Sequence, residues 1–147
     1  MIKIIAVGKL NQKYLNQGID YYEKQIPSKV EFIEVSDEST EQGIVLEGER
    51  ILSKIKDSDF VVALAIKGKI IDSYDFSKLL DQNLTYHQGD LVFIIGGSYG
   101  LSEDVLKRAN QKISFSQMTF PHQLMRLILI EQIYRGFMIL KNHPYHK

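Results

Sequence analysis

"LVFIIGGSYGLSEDVLKRA", Leu91 to Ala109, decides the fold class. Leu91–Ile95 is apolar without alternation, as a strand covered on both faces is. Two glycines break it, and a third at Gly100 precedes Leu101. "LSEDVLKRA" then reads as a helix with Ser102 as its N-cap and Glu103 and Asp104 in the first turn. A buried strand feeding a helix through a glycine loop is the unit of a parallel α/β sheet.

The same alternation extends outward in both directions. Ile2–Val7 is a short β-branched run and predicts a buried strand. Gln12 to Gln25 has helical spacing, with Tyr14, Ile19 and Tyr22 on one face, and Pro27 stops it. Val30–Val35 is a second strand. The polar "SDESTEQG" leads into a helix near Glu41–Lys56. "DFVVALAIKGK", from Asp59 to Lys69, is a third strand. "SYDFSKLLDQNL" is a short helix with Ser73 as cap. "KISFSQM", Lys112 to Met118, is a fifth strand after Leu91–Ile95, and Pro121 opens a last helix that runs to Leu140. The expected fold is α/β, a mostly parallel sheet flanked by helices, in one domain covering 1–147. In such sheets ligands belong at the carboxyl ends of the strands. Three ends stand out by their composition: Leu64–Lys69, Gly96–Gly100 and Phe115–Phe120.

The glycine loop matches neither common phosphate motif. A dinucleotide fingerprint needs a glycine where Ile95 stands, and an acid about twenty residues on, where the sequence reads "SFSQMTF". A P-loop needs Lys and Ser/Thr after its last glycine, and Leu101 follows Gly100. By itself the loop reads as a plain turn. Gly96 and Gly97 still permit close approach of a ligand to the backbone.

Composition narrows the function further. The chain has 147 residues, 44% of them hydrophobic, enough for a single core without staples. With no cysteine, disulfides and thiolate metal sites are excluded. Lys+Arg and Asp+Glu both number 18, so the formal net charge is zero. A general nucleic-acid clamp is basic, so any RNA contact here must use a local patch. "IKIIAVGK" makes a poor signal peptide, and Arg126, Glu131 and Arg135 interrupt the longest apolar run. The expectation is a cytoplasmic protein with no membrane partner.

The last helix is apolar on most of its circumference over about 30 Å. A single small domain has limited interior for it, which predicts one face on the sheet and another against a second subunit. Glu131 and Arg135, four residues apart, form either a salt bridge within the helix or part of a site. Arg126, among Leu124, Met125, Leu127 and Ile128, needs an acceptor. The terminal "KNHPYHK" reads as a frayed basic tail; His143 and His146 lack a third ligand for a metal, so no metal is expected. Tyr145 and His146 nonetheless place a stacking group beside a proton-transfer group. His87, in the polar "TYHQGD" turn, reads as solvated.

Taken together, "VFIIGGSYGL", "SFSQMTFPHQLMRLILIEQIYRGF" and the terminal "PYHK" resemble the ribosomal large-subunit RNA methyltransferase H family. These are minimal members of the SPOUT, or α/β-knot, methyltransferases. "IKIIAVGK" and "YYEKQI" fit the same family, so the resemblance covers essentially the whole chain. The departure is the "SDESTEQGIV" connection, longer in many relatives, which touches peripheral contacts and not the active centre.

The resemblance implies a homodimer with a C-terminal trefoil knot and S-adenosylmethionine as methyl donor. It implies donor contacts at Leu64, Gly96, Phe115, Ser116, Gln117, Met118, Thr119 and Phe120. It implies an acceptor at N3 of a pseudouridine in large-subunit rRNA of the assembled ribosome. His146 is then the candidate base, Arg126 and Arg135 are candidate electrostatic stabilisers or RNA anchors, and Tyr145 is a candidate stacking group. Two other classes remain: another SPOUT activity such as tRNA ribose methylation, and a non-catalytic ribosome-binding module.

Overall fold

The computed structural model describes residues 1–147. Five strands, β1 (Ile2–Val7), β2 (Val30–Val35), β3 (Phe60–Ile70), β4 (Leu91–Ile95) and β5 (Gln111–Ser114), form one sheet in the order β2-β1-β4-β3-β5. Every pairing in it is parallel. The helices are α1 (Lys13–Glu23), α2 (Ile44–Leu52), α3 (Ser73–Tyr86), α4 (Glu103–Arg108) and α5 (His122–Leu140). No helix is long and apolar enough to cross a membrane.

Strand alternation sorts the core into two layers. Ile2, Ile4, Phe93 and Ile95 pack under α1, α3 and α5, beside Leu80, Leu129 and Ile133. Ile5, Val7, Val92 and Ile94 face the other way, against Ile51 of α2 and Val105 of α4. The period of two explains why both faces of β1 and β4 are apolar. Lys3 is the buried exception, 7% exposed. Its ammonium lies 3.6 Å from Asp90 and 4.0 Å from Asp59 at the lower edge of the sheet, so the buried charge is paired.

Some expected boundaries shift, each for a local reason. Helix α3 is capped by Asp72, not Ser73. The Asp72 carboxylate accepts from the Asp75 amide at 2.8 Å, and Asp75 accepts in return from the Asp72 amide. The Ser73 hydroxyl is committed elsewhere, donating to Gln132 Oε1 at 2.7 Å. The stretch read as one helix near Glu41–Lys56 is a 3-10 turn at Glu41–Gly43 followed by the shorter α2. The fifth strand ends at Ser114, not Met118. There Ser114 Oγ donates to the Ser116 carbonyl at 2.8 Å, and Ser116 Oγ accepts from the Met118 amide at 3.0 Å. These hydroxyls satisfy the backbone locally and pull it out of the sheet.

Strand β3 carries a register irregularity between Leu64 and Lys69, after which it continues beside β5. At Gly68 a Cβ would lie 2.7 Å from the backbone of Ile113, so the two chains pass in near contact. Helix α5 packs against both α1 and α3. Leu129, Ile130 and Ile133 are fully buried beneath it, while Leu124 and Ile128 stay half-exposed on its outer side.

Candidate functional site

The carboxyl ends of β3, β4 and β5 converge on one cavity of about 540 Å3. That volume lies in the range of small-molecule sites. Leu64 and Lys67 come from β3, Ile95 to Leu101 from the end of β4, and Ile113 to Ser116 and Met118 to Phe120 from the end of β5. His122 and Met125 close it from the start of α5. All the expected donor-binding residues except Gln117 line this cavity; Gln117 points to solvent. Lys67 falls inside the expected strand end Leu64–Lys69 without having been given a role, whereas His122 was missed, because only the return of α5 brings it there.

The glycine loop owes its shape to its own backbone. A Cβ at Gly96 would lie 2.7 Å from the Gly100 carbonyl oxygen. Gly100 has φ +84°, a left-handed conformation that side chains disfavour, and its amide donates to the Gly97 carbonyl at 3.1 Å. The resulting tight turn lowers Ser98 and Tyr99 onto the cavity rim while leaving Gly96 backbone on the wall. Leu64, Ile95, Leu101, Phe115 and Met125 supply apolar walls. This is a surface for a flat heterocycle and a thioether chain rather than for phosphates, which need a cradle of amide donors.

A second constellation lies at the other end of α5. Arg135 Nε donates to Glu131 Oε1 at 2.7 Å, the intrahelical pair that was one of the two readings of this spacing. Arg135 also stacks over the Tyr145 ring at 4.7 Å, and its Nη1 lies 3.0 Å from His146 Nδ1. Tyr145 donates to Glu131 Oε1 at 3.1 Å and meets Tyr134 edge-on at 4.7 Å. His146 rests edge-on against Tyr74 of α3 at 4.8 Å. The tail is therefore docked, not frayed. Burial raises the Tyr145 pKa, helped by the Tyr22 hydroxyl and the Glu131 carboxylate, so the phenol stays protonated.

Arg126 and His87 stand apart from both places, and His143 belongs to the tail. Arg126 is 2% exposed and ion-pairs with Glu34. Its Nη2 donates to the carbonyls of Gly8 at 2.7 Å and Val7 at 3.3 Å. Its acceptors thus come from the end of β1 and from β2, and it ties α5 to the sheet. His87 is not merely solvated: its Nε2 lies 2.7 Å from the Ser58 carbonyl and its ring meets Phe60 edge-on. His143 Nδ1 accepts from the Tyr145 amide at 3.1 Å, helping to fold the tail.

None of Glu131, Arg135, Tyr145 or His146 lines the cavity. From His122 to Arg135 the helix advances about 20 Å. Within one chain, the docked tail and the cavity are separate places.

Comparison with known proteins adds the family. A family model described as "Predicted SPOUT methyltransferase" matches residues 1–146. A protein named "Ribosomal RNA large subunit methyltransferase H" from Exiguobacterium sp. (strain ATCC BAA-1283 / AT1b) is 55% identical, over 99% of each chain. Proteins of the same name from Ligilactobacillus salivarius (strain UCC118) and Acholeplasma laidlawii (strain PG-8A) are 54% and 51% identical, again over 99% of each chain. A solved structure, that of a probable methylase family protein from Haemophilus influenzae Rd KW20, superposes with a TM-score of 0.55 at 10% identity. It covers 96% of this chain, which spans only 66% of that protein's length, and the likeness speaks to the fold alone.

Proposed function

The chain belongs to the SPOUT methyltransferase family, and on that premise we propose that it transfers a methyl group from S-adenosylmethionine to large-subunit ribosomal RNA. The observation that carries the reading is the cavity at the three strand ends, in a chain whose full-length relatives are named for that activity. The whole chain acts as a single SPOUT domain whose C-terminal segment is threaded as a knot.

The cavity suits the donor. Leu64, Phe115 and Met125 offer apolar walls to adenine and the methylthio chain, and Gly96 allows the backbone to come close. When bound, S-adenosylmethionine supplies a methyl group on a positively charged sulfur. Ser116, Met118, Thr119 and Phe120, with exposed Gln117 beside them, form the rim, and the Ser114 and Ser116 hydroxyls fix its start by bonding the Ser116 carbonyl and the Met118 amide. Such pre-organisation orients a bound donor for in-line attack.

The acceptor chemistry belongs to the tail. Arg135, Tyr145 and His146 combine a fixed cation, a stacking ring and an imidazole, which suits an imide base such as pseudouridine at N3. Arg126 acts indirectly, by anchoring the start of α5. The docked tail contacts Arg135, about 20 Å along α5 from His122 at the cavity, and so does not reach the cavity of its own chain in this conformation. A homodimer in which each tail serves the partner's cavity resolves this, and the half-exposed Leu124 and Ile128 offer α5 an apolar face for it. Recognition of the assembled ribosome in the cytoplasm suits a chain of zero net charge, since the ribosomal surface supplies much of the binding site.

The test is methyl transfer from labelled donor to assembled 70S ribosomes, free rRNA and tRNA, with the modified nucleoside identified by mass spectrometry. Incorporation into 70S ribosomes at a pseudouridine N3 is expected. Transfer to tRNA ribose would assign a different SPOUT activity. Donor binding absent by calorimetry would leave only a ribosome-binding module.

A further inference from the structure

We infer that His146 serves the reaction as a neutral hydrogen-bond donor through Nε2, and that the acceptor's imide proton leaves to water and not to a side chain. The inference rests on the function proposed above and assigns a chemical role within the same site.

The argument starts from the contact between Arg135 Nη1 and His146 Nδ1 at 3.0 Å. A guanidinium carries only donors. Nδ1 must therefore be the acceptor, and the ring proton of the neutral imidazole lies on Nε2. The one lone pair that could take a proton is already occupied. An imidazolium would set an N–H of the ring against an N–H of the guanidinium and lose this bond. A ring flip would put Cδ2 in the place of Nδ1 and lose the bond to Arg135, while the ring itself meets Tyr74 of α3 at right angles, 4.8 Å between centroids. Nε2 has no hydrogen-bond partner within the chain, and it is the atom left to meet a substrate.

The other groups facing His146 offer no base either. On α5, Glu131 Oε1 accepts from Arg135 Nε at 2.7 Å and Tyr145 at 3.1 Å, and its Oε2 accepts from Gln132 at 3.0 Å. Three donors thus occupy that carboxylate. In the tail, Tyr145 is a phenol kept protonated by its burial and its neighbours, and His143 Nδ1 is taken by the Tyr145 amide. Tyr74 meets the His146 ring at right angles and is no base.

What the cluster can do is stabilise negative charge. An imide N–H between two carbonyls gives an anion spread over both oxygens. The proton passes to water. The nitrogen lone pair then forms a bond to the methyl carbon as the methyl–sulfur bond breaks, and the sulfonium becomes a neutral thioether. His146 Nε2–H donates to one oxygen, with the Arg135 guanidinium behind it. Arg135 is a positioning residue that fixes the tautomer.

Two measurements on the full-length protein test this. Long-range nitrogen–proton NMR of histidine-labelled protein reads the tautomer without substrate. His146, identified by the signal missing from His146→Gln, should show an unprotonated Nδ1 and a protonated Nε2 near neutral pH. Arg135→Gln should shift that signal toward a mixture. In single-turnover assays on 70S ribosomes, His146→Gln retains an N–H donor but cannot serve as a base. It should keep activity within about tenfold of the unaltered protein, whereas His146→Ala should lose about 100-fold, the scale of a lost oxyanion donor. A protonated Nδ1, or a Gln variant as inactive as Ala, overturns the inference while leaving the methyl transfer intact. An unaltered protein inactive on ribosomes overturns the proposed function instead.

Discussion

Gly96 lies so close to Gly100 that a Cβ at position 96 would stand 2.7 Å from the Gly100 carbonyl oxygen. The glycine is therefore required by the loop before any ligand arrives. Gly96→Ala must displace the turn that carries Ser98 and Tyr99 onto the cavity rim. The fourth strand beneath is buried on both faces and should hold. Donor affinity measured by calorimetry should fall at least about tenfold, about 1.4 kcal/mol, with an unchanged circular dichroism spectrum. Undiminished affinity would detach the loop from donor binding.

Arg126 supplies a stability prediction. It is almost fully buried, and its partners are Glu34 and the carbonyls of Val7 and Gly8. Arg126→Ala would strand those acceptors and open a cavity at the start of α5. Glu34 is 43% exposed, so its charge can recover some hydration. The expected loss is about 3 kcal/mol, toward the lower end of the cost of breaking a buried pair. Urea unfolding of the variant measures it. A loss under about 1 kcal/mol would fit a surface contact rather than an anchor.

Tyr145 gives a prediction in alkali. Its folded pKa is raised above the ordinary tyrosine value of about 10, chiefly by burial. The neutral phenol is thus favoured in the folded state. Its contribution to tail docking is fully present below about pH 10 and is lost as pH rises through the folded value. An ultraviolet titration should show one tyrosine ionising well above the ordinary tyrosine value, and Tyr145→Phe should remove that step. Ionisation of Tyr145 at the ordinary tyrosine value would mean that the tail is not docked in solution.

These residues also show what the sequence made legible. The five strands could be placed because β-branched apolar runs have one economical home, a sheet covered on both faces. Ser102 was a readable cap because its hydroxyl has no competing use, whereas Ser73 was misread because a carboxylate beside it caps better and its own hydroxyl bonds Gln132. Arg126 announced a need for an acceptor but not its identity. Glu34 lies 92 residues away in the chain and meets it only through tertiary packing. The cavity's strand ends, Lys67 within them, were foreseeable from topology and resemblance, but His122 was not, since it reaches the cavity through a helix return. Docking of the tail was the least legible, because Tyr74 and Tyr134, on which it rests, carry no pattern that sets them apart from other helical tyrosines.

The outer face of α5 predicts association. Leu124 and Ile128 are only partly buried on a helix whose Leu129, Ile130 and Ile133 are committed to the core. Light scattering at micromolar concentration should give about twice 16.9 kDa. Ile128→Glu should yield folded monomer, because an unpaired carboxylate in an apolar contact costs several kcal/mol while the same group in water costs little. A monomeric unaltered protein that still binds donor and methylates ribosomes would remove the dimer from the mechanism.

The separation along α5 makes a stricter demand. If each tail acts on the partner's cavity, a lesion in the cavity and a lesion in the tail can compensate when they sit on different chains. Deleting Tyr145–Lys147 should spare donor binding and lower methylation by a factor of about 100 or more. Gly96→Ala should be impaired for the opposite reason. Unfolding the two variants together and refolding them as a mixture lets them associate at random. Half of the dimers are then mixed, and each mixed dimer joins one intact cavity to one intact tail. Recovered turnover should approach about a quarter of the unaltered level, with neither variant recovering alone. The symmetry of the interface allows no other intact combination. A mixture no more active than the sum of its parts, in dimers verified by mass spectrometry to be mixed, would mean that tail and cavity work within one chain, and that the tail must leave its contacts with Tyr74, Glu131 and Arg135 to reach the methyl group.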